Sequence, residues 1–314
     1  MKRVRVAASR RFGSASPLRY PGGKAALAGL IADIIRAVPI ESPQYVEPYA
    51  GGAGAGIALL REGVIENLVI NDFDQAVYAF WKSVVDDNEE FIELIRSTPL
   101  TIEEWRHQRE IYQDRDNRAG IELGFAFFYL NRTNRSGVLN AGVIGGQAQD
   151  GKYKIDARFN RESLADRIRI IGSLSDRIIV SDLDGRTVIQ DYSGSRNVLM
   201  YIDPPYVKAG SQLYLNAFEG RDHVSLAKAI SGIDQAHWLL TYDQSPLIAH
   251  LYQDYPQHTL ELSYSANRAG KYEELLISSA EVENCIANST TALDQEEIER
   301  AAESAAMLYE RLHA

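Results

Sequence analysis

The length, composition and charge of the chain exclude several classes of protein. Its 314 residues are 45% hydrophobic and 24% charged, and no apolar run approaches the roughly 18 to 20 residues that a membrane span needs. The basic N-terminus is not followed by the apolar segment of a secretory signal. A single cysteine, Cys285, excludes a disulfide framework, and the six histidines form no HExxH or HxxxH pair. We therefore expect a cytoplasmic protein with no membrane association and no metal site.

The net charge of −10 argues at first against a nucleic-acid partner, but the charges are unevenly distributed. Residues 1–24 contain seven Lys or Arg and no acid, and residues 131–169 contain eight against four acids. Residues 281–314 contain eight acids against two arginines. DNA responds to the local field of a surface more than to the net charge of a chain. Ordinary solvated faces explain the same distribution, so charge alone leaves the partner open.

Strand-like apolar segments alternate with helix-like amphipathic segments along much of the chain. The predicted strands are Tyr45–Glu47, Leu68–Asn71, Ile178–Ser181, Val198–Asp203 and His237–Tyr242. The predicted helices between or before them are Ala25–Val38, Gly56–Glu62 and Gln75–Asp86. Such alternation indicates βαβ units, whose strands form a parallel sheet. The sequence therefore predicts an α/β fold.

More than 100 residues separate the second predicted strand from the third, too many for one crossover connection. This stretch contains helical patterns at Ile102–Tyr112 and Gly120–Leu130, followed by a basic loop rich in Gly and Asn at Asn131–Gly151. We interpret residues 85–172 as an inserted, mainly helical lobe. Residues 1–84 and 173–280 then form the main domain.

Residues 281–314 form an acidic tail in this interpretation. Apolar residues recur at helical spacing from Asp294 to Leu312. Acids at the start of that segment and Arg311 near its end suit the dipole of a helix. We expect an amphipathic helix that docks on its own parent domain rather than on a second subunit, and we expect the tail to be dispensable for the chemistry.

The tetrapeptide Asp-Pro-Pro-Tyr at residues 203–206 carries the most information about chemistry. It follows an apolar strand, and the carboxyl ends of such strands are where open α/β sheets bind ligands. The prolines remove N–H donors, which leaves a carboxylate and backbone carbonyls as acceptors beside a ring suited to stacking. Two acceptors and a stacking ring suit the exocyclic amino group of a planar base. A proline-rich turn in which Asp203 caps the backbone is the purely structural alternative.

Two further segments are weaker signals when each is taken alone. Tyr45–Gly54 runs from a strand into a glycine-rich turn. It matches neither GxGxxG nor a P-loop, so taken alone it leaves a nicotinamide cofactor possible. Asp72 follows the next strand and is placed either to hold a ribose or to cap a helix. Arg19–Lys24 is a loop that opens a helix, where Tyr20 could stack on a cofactor and Lys24 could pair with a carboxylate.

Together these segments resemble the Dam-like, D12 class of DNA adenine-N6 methyltransferases. RYPGGK (19–24), VEPYAGGAG (46–54), VINDFD (69–74) and DPPY (203–206) resemble the cofactor and catalytic motifs of that family. FFYLNRTNRSGVLNAGVIGG (127–146) is similar to its target-recognition stretch, and SANRAGKYEELLIS (265–278) to its C-terminal RxGKxxELLI stretch. The order of the motifs matches the α group. The resemblance implies a Rossmann-like, S-adenosylmethionine-dependent methyltransferase sheet with the target-recognition lobe inserted.

The resemblance also implies roles for individual residues. The implied catalytic residues are Asp203, Pro204, Pro205 and Tyr206, with Asp203 and the Pro204 carbonyl on the target N6 and Tyr206 stacked on the flipped base. The implied cofactor-binding residues are Tyr20, Lys24, Glu47, Gly51, Gly52, Asp72, Asp182, Leu183 and Asp203. The implied DNA contacts are Arg19, Arg132 and Arg135. The turn reads Gly-Gly-Ala-Gly where many members have Gly-Gly-Gly-Ser or Gly-Ala-Gly-Ser, so the role of Gly54 stays open.

The function implied is methylation of adenine N6 in double-stranded DNA by base flipping, with S-adenosyl-L-methionine as donor. A restriction or defence partner and a monomer or weak dimer fit this interpretation. An RNA adenine methyltransferase is one alternative, and a catalytically idle DNA-binding component of a defence system is another. A glutamine methyltransferase is a further alternative, but those enzymes typically carry Asn-Pro-Pro-Tyr, whereas residue 203 is Asp. A nicotinamide dehydrogenase is the last alternative, and it would bind NAD instead of S-adenosyl-L-methionine. Base readout depends on a few side chains of the lobe, so the recognition sequence is not predicted.

Overall fold

The computed structural model describes residues 2–6, 12, 15–19, 24–207, 218–262, 272–287 and 292–294. Its strands are β1 (Lys2–Val6), β2 (Gln44–Glu47), β3 (Asn67–Asn71), β4 (Ile178–Ser181), β5 (Val198–Ile202), β6 (His237–Asp243), β7 (Gln257–Leu262), β8 (Tyr272–Ser278) and β9 (Ala292–Asp294). All five strands predicted from the sequence are confirmed, and their ends differ from the prediction by at most one residue.

The α-helices of the described residues occupy much of the remaining chain. They are α1 (Ala28–Ala37), α2 (Gly54–Arg61), α3 (Gln75–Asp86), α4 (Asn88–Ser97), α5 (Ile102–Gln113), α6 (Gly120–Thr133), α7 (Arg161–Gly172), α8 (Gly185–Tyr192), α9 (Gly220–Ser231), α10 (Pro246–Leu251) and α11 (Ala280–Ala287). None of these helices combines the length and the apolar character needed to cross a bilayer.

Several helix boundaries differ from the sequence prediction; α2, for example, begins at Gly54 rather than Gly56. The helix predicted at Ala25–Val38 begins with a 3₁₀ turn at Ala25–Leu27 before α1. The loop predicted to begin at Asn131 begins three residues later, because α6 continues to Thr133. The buried Asn131 amide donates to the backbone carbonyls of Arg19 and Gly137 at 3.1 Å each, so this polar side chain is satisfied inside the helix.

The strands form one sheet in the order β4-β3-β2-β5-β6-β8-β7-β1-β9. The five strands from β4 to β6 are mutually parallel, while β8 lies antiparallel between β6 and β7. The chain leaves β2 towards β3 on one side, and β5 occupies the other side of β2. This reversal of strand order opens a crevice at the carboxyl ends of β2 and β5, where open α/β sheets bind ligands. The glycine-rich turn and the Asp-Pro-Pro-Tyr segment both begin at that crevice.

Helices cover both faces of the sheet. Alternate residues of β5 belong to two separate apolar clusters: Leu199 and Tyr201 to one, Met200 and Ile202 to the other. A strand buried on both faces is continuously apolar, which is why the segment Val198–Ile202 is recognisable in the sequence.

The helices of residues 85–172 share a core with the sheet. The Phe80 ring of α3 stacks on Phe128 of α6, with centroids 5.8 Å apart, and packs edge-on against Phe91 of α4 at 5.6 Å. These aromatic side chains belong to the same apolar cluster as Leu68 of β3 and Leu199 of β5. The segment is therefore joined to the sheet by buried packing through α3.

The turn between β2 and α2 explains the Gly-Gly-Ala-Gly sequence. Gly51 and Ala53 adopt left-handed backbone conformations, with φ of 47° and 43°. Such a conformation favours glycine, and it costs an L-residue about 1–2 kcal/mol. A Cβ atom on Gly54 would lie 3.1 Å from the Cβ of Ala25, tighter than ordinary packing. The absence of a side chain at Gly54 therefore allows α2 to begin close to Ala25. Ala53, in contrast, has a side chain in a left-handed backbone conformation and so strains the turn.

The beginning of the acidic tail is part of the fold. Helix α11 buries Val282 and Ile286 in the same cluster as α1, and β9 pairs antiparallel with β1. The boundary predicted at residue 281 therefore falls inside α11, which is packed on the main core through Val282 and Ile286. The predicted helix begins at Asp294, which ends β9, and residues 295–314 lie outside the described residues.

The strained turn yields a prediction for stability. Replacing Ala53 by Gly removes the cost of the left-handed conformation, and we expect the free energy of unfolding to rise by about 1 kcal/mol. The matched control is Ala55→Gly in the first turn of α2, where glycine should lower stability by roughly 0.5–1 kcal/mol. Thermal unfolding of the two variants should therefore shift in opposite directions; a lower midpoint for Ala53→Gly would contradict the strain.

The tail yields a second prediction, through two truncations. Ending the chain after Ala280 exposes the sites that Val282 and Ile286 fill, and removes about 3–6 kcal/mol of apolar burial. Ending it after Asp294 keeps both α11 and β9. We expect the shorter chain to unfold at a clearly lower temperature than the longer one. Equal melting temperatures for the two truncations would show that α11 is dispensable.

Candidate active site

Asp203 stands at the end of β5 with its carboxylate held in place. Its Oδ1 accepts hydrogen bonds from the hydroxyls of Tyr206 at 2.9 Å and Thr241 at 2.8 Å. Its Oδ2 lies 3.2 Å from the Nζ of Lys24. The Tyr201 hydroxyl lies 2.7 Å from that of Thr241 and extends the network into β5. The carboxylate therefore has a fixed orientation at the crevice between β2 and β5.

Lys24 is the centre of this cluster. Its Nζ donates to the Tyr206 hydroxyl at 2.8 Å and to Oε1 of Glu274 at 3.3 Å, besides its ion pair with Asp203. The Lys24 side chain is only 5% exposed, so its charge depends on these partners. The expected pairing of Lys24 with a carboxylate thus takes place with the residue that begins Asp-Pro-Pro-Tyr. Tyr20 lies outside the described residues.

Tyr206 is anchored at both ends. Its hydroxyl bridges Lys24 and Asp203, and its ring lies 6.0 Å from that of Tyr242, tilted by 37°. Burial and the nearby Asp203 raise the pKa of Tyr206 well above its ordinary value, so the phenol stays protonated. The next peptide N–H, that of Val207, donates to Asp243 at 3.0 Å and fixes the end of the segment.

Glu47, at the end of β2, lies inside the glycine-rich turn. Its Oε1 accepts from the backbone N–H of Gly56 at 3.0 Å, in the first turns of α2. Burial raises the pKa of Glu47 to about 8. The hydrogen bond from the Gly56 N–H opposes this shift, and the nearby Asp203 charge adds to it. Glu47 therefore ties β2 to α2 directly beside Asp203.

Asp72 fastens the same turn to β3. Its Oδ2 accepts from the N–H of Gly51 at 2.8 Å, and its Oδ1 from the N–H of Asp74 at 3.0 Å. Burial, with a further contribution from Asp74, raises the pKa of Asp72 to about 7. Each carboxylate oxygen keeps a second lone pair, so Asp72 can still accept from a ligand hydroxyl. Gly52 follows in the turn and is buried.

The carboxyl ends of β2, β3 and β4 are joined by one amide that the sequence analysis did not single out. The buried Asn71 side chain donates to the carbonyls of Pro48 and Leu183 at 2.9 Å each. It accepts from the hydroxyl of Ser181 and the N–H of Leu183. Asp182 accepts from the Gln75 amide at 3.3 Å. Of the predicted residues of this edge, Leu183 is therefore held by Asn71, and Asp182 is held by Gln75.

Two large apolar side chains are exposed at the same edge. Phe73 is 56% exposed after β3, and Leu183 is 44% exposed after β4. The two strands are neighbours, with Asn71 paired to Ser181 at their ends. Exposed apolar side chains on neighbouring strand ends offer a surface on which an apolar or planar group can lie. Phe73 was not predicted as a site residue, although an aromatic residue between Asp72 and Asp74 is a signal in the sequence.

The three arginines predicted to contact DNA occupy different environments. Arg132 donates to the backbone carbonyls of Arg158 and Pro17, the first at 2.8 Å and the second at 3.3 Å. Arg19 donates to the carbonyl of Asn134 at 3.1 Å and is half-buried. The Arg135 side chain lies exposed, and its backbone N–H bonds to Gly142. Two of the three arginines therefore have structural partners.

Arg132 also lies in a group of like charges. Burial lowers the pKa of Arg132 to about 9, and the charges of Arg19, Arg167 and Arg158 lower it further. Arg167 is itself bonded to the carbonyl of Ser16 at 3.0 Å. Backbone carbonyls hold these side chains, and a positive region remains beside residues 15–19.

The site therefore brings together most of the predicted residues. Lys24, Glu47 and Asp203 meet around the crevice, while Gly51 and Asp72 meet at the turn beside it. Thr241 and Glu274 are the additional members of the cluster. Thr241 lies on β6, which the sequence predicted, and Glu274 lies on β8, whose position between β6 and β7 was not predicted.

Comparisons with known proteins agree with this geometry. The family of D12 class N6 adenine-specific DNA methyltransferases matches residues 20–266. The chain is 24% identical over 281 residues to the Type II methyltransferase M1.LlaDCHI of Lactococcus lactis subsp. cremoris, covering 83% of this chain and 93% of that protein. It is 22% identical over 239 residues to the Type II methyltransferase M.MjaIII of Methanocaldococcus jannaschii, covering 69% and 80%.

A solved structure of the rRNA methyltransferase aviRa from Streptomyces viridochromogenes is similar at 12% identity and a TM-score of 0.37, covering 89% of this chain and 96% of that one. A likeness this slight carries no weight beside the family match, which extends over most of the chain and includes the Asp-Pro-Pro-Tyr segment and the glycine-rich turn. The chain belongs to the D12 class of N6 adenine-specific DNA methyltransferases.

Proposed function

We propose that this chain transfers the methyl group of S-adenosyl-L-methionine to N6 of an adenine flipped out of double-stranded DNA. The observation that carries the proposal is the fixed Asp203 carboxylate at the end of β5, held by Tyr206, Thr241 and Lys24 beside the glycine-rich turn. Membership of the D12 class supports adenine N6 as the methylated atom and DNA as the substrate.

The crevice suits the parts of S-adenosyl-L-methionine. The turn at Gly51 and Gly52 offers backbone without side chains for close approach of the amino-acid end. Asp72 and Asp182 offer acceptors for ribose hydroxyls and a base amino group. Phe73 and Leu183 offer apolar surface on which a purine could lie. When bound, this cofactor supplies an electrophilic methyl group on a sulfonium.

Asp203 and its neighbours would prepare the adenine amino group for attack. The lone pair of an aromatic amine is delocalised into the ring and is weakly nucleophilic. Acceptance of the two N–H protons by Asp203 and the Pro204 carbonyl favours a pyramidal nitrogen with its lone pair free. Pro205 stiffens the backbone at this point, and Tyr206 would lie against the base. Extrusion of the base from the stack costs a few kcal/mol, which binding must supply.

We further propose that residues 85–172 face the DNA, while residues 1–84 and 173–280 carry the chemistry. The positive region of Arg19, Arg132, Arg158 and Arg167 and the exposed Arg135 support this placement. The related proteins are Type II methyltransferases, so we propose a restriction partner for this chain also. A monomer or weak dimer in the cytoplasm fits a DNA substrate.

The reaction is tested with labelled cofactor and mixed-sequence duplex DNA. Digestion of the product to nucleosides should place the label in 6-methyladenine. Label found only in cytosine, only in protein, or only in an RNA substrate offered in parallel would overturn the proposal. Sequencing of the modified bases from the same reaction would give the recognition sequence.

The first prediction for the site concerns Asp203. Asp203→Ala should lower the rate of methyl transfer by about 10²–10³ or more while the fold persists, because a positioned acceptor is lost. Asp203→Asn should retain part of the rate, since the amide oxygen still accepts. The control is Asp191→Ala, an exposed carboxylate at the end of α8. An unchanged rate for Asp203→Ala at saturating cofactor would refute the role.

The second prediction separates two arginines. Arg135→Ala should weaken DNA binding and reduce the salt dependence of the affinity by about one phosphate contact, or relax one base pair of the recognition site by about 1–3 kcal/mol. Arg132→Ala should instead lower the melting temperature, because its guanidinium joins Pro17 and Arg158. Binding titrations at several salt concentrations and thermal unfolding measure both effects. Unaltered DNA binding by Arg135→Ala would remove Arg135 from the DNA face.

A further inference from the structure

A second carboxylate, Glu274 of β8, lies behind the Lys24 ammonium. Glu274 is 7% exposed, and its Oε1 is 3.3 Å from the Lys24 Nζ. Its Oε2 is buried and has no hydrogen-bond partner among the described residues. Lys24 is thus shared between Asp203 at 3.2 Å and Glu274 at 3.3 Å. A buried group with an unsatisfied oxygen is costly, so its presence needs a reason.

The two oxygens of Asp203 differ in what they can still accept. Oδ1 receives two hydroxyl donors, Tyr206 and Thr241, which use both of its lone pairs. Oδ2 faces Lys24 and is the oxygen with room for a further donor. An adenine amino group that donates to Asp203 must therefore use Oδ2, and it competes there with the Lys24 ammonium.

We propose that Glu274 is a positioning residue that draws the Lys24 ammonium away from Oδ2 of Asp203 and so keeps that oxygen open for the adenine amino group. The proposal rests on the role of Asp203 given under the proposed function. Glu274 acts through Lys24 and touches neither substrate nor cofactor. Without its charge, Asp203 is the remaining carboxylate beside the buried ammonium, and Lys24 closes on Oδ2.

Charged and titratable groups from several elements face Glu274. They are Lys24, which precedes the first 3₁₀ turn, Asp203 and Tyr206, which follow β5, and Tyr201 on β5 itself. The neighbours of Glu274 in the sheet are Asp243 of β6, whose Oδ1 accepts from Val207, and the apolar Leu260 of β7.

Burial raises the pKa of Glu274 to about 7, the Asp203 charge adds to the shift, and Lys24 and Tyr206 oppose it. Below that pH Glu274 is neutral and releases Lys24 to Asp203. The methyl-transfer rate of the wild-type chain should therefore fall as the pH drops through about 7.

The test compares Glu274→Gln with Glu273→Gln, its neighbour on the same strand. Glu273 is exposed, and its carboxylate pairs with Arg3 at 3.3 Å. Single-turnover methyl transfer to duplex DNA is measured between pH 6 and pH 9 with cofactor and DNA saturating. We expect Glu274→Gln to be roughly ten- to a hundredfold slower than wild type at pH 8, less than the loss of a group that contacts the reacting atoms.

The shape of the pH profile separates positioning from a merely structural effect. Glu274→Gln should lose the step near pH 7 and have similar rates on both sides of it, whereas Glu273→Gln should keep the wild-type step. Glu274→Asp retains a charge and should keep a step. A persistent step in Glu274→Gln, or a wild-type rate at pH 8, would overturn the proposal.

A second readout does not depend on turnover. When the pKa of a buried acid is raised in the folded chain, the folded chain keeps the proton at pH values where the unfolded chain has already lost it. The contribution of that acid to the free energy of unfolding therefore falls as the pH rises from the unfolded to the folded pKa. The melting temperature of wild type relative to Glu274→Gln should therefore fall between about pH 4.5 and pH 7. A difference that stays constant over this range would show that Glu274 does not titrate there. Absence of adenine methylation by the wild-type chain would refute the proposed function instead, and leaves this measurement standing.

Discussion

The burial of one ammonium group organises the active site. A lysine that is 5% exposed cannot keep its charge without partners, and Lys24 finds them in segments distant from it in sequence. Asp203 and Tyr206 come from the end of β5, and Glu274 comes from β8. Because the ammonium is satisfied only when these segments meet, the interaction that brings them together also fixes the orientation of the Asp203 carboxylate.

Around that cluster, backbone groups fix the glycine-rich turn. Glu47 and Asp72 each accept from peptide N–H groups of the turn or of the helix that follows it, and Asn71 joins the ends of three strands. Carboxylates placed in this way are partly desolvated, which raises their pKa values. The edge of the sheet is thus a rigid frame with a small apolar surface at Phe73 and Leu183.

The sequence allowed the strands from β2 to β6 to be predicted because each is a short apolar run bounded by turn residues. It also allowed Asp203 and the glycine-rich turn to be placed together, since motifs at the carboxyl ends of neighbouring parallel strands meet, whereas Lys24 was placed with them only through the family resemblance. The contacts of Arg132 with backbone carbonyls and the approach of Glu274 to Lys24 were not predictable. Both depend on long-range packing that no local pattern encodes, and β1, β7, β8 and β9 were missed for the same reason.

The pairing of β1 has a consequence for how the chain folds. Lys2 lies in register with His258, and Lys24 bonds to Glu274 across 250 positions of the sequence. Contacts of such high sequence separation form late, because a long loop must close before they contribute. During synthesis from the N-terminus, the first strand therefore leaves the ribosome long before its partner exists. The cluster around Lys24 is completed only when synthesis has passed Glu274, so a shorter nascent fragment has the glycine-rich turn and Asp203 but lacks this carboxylate.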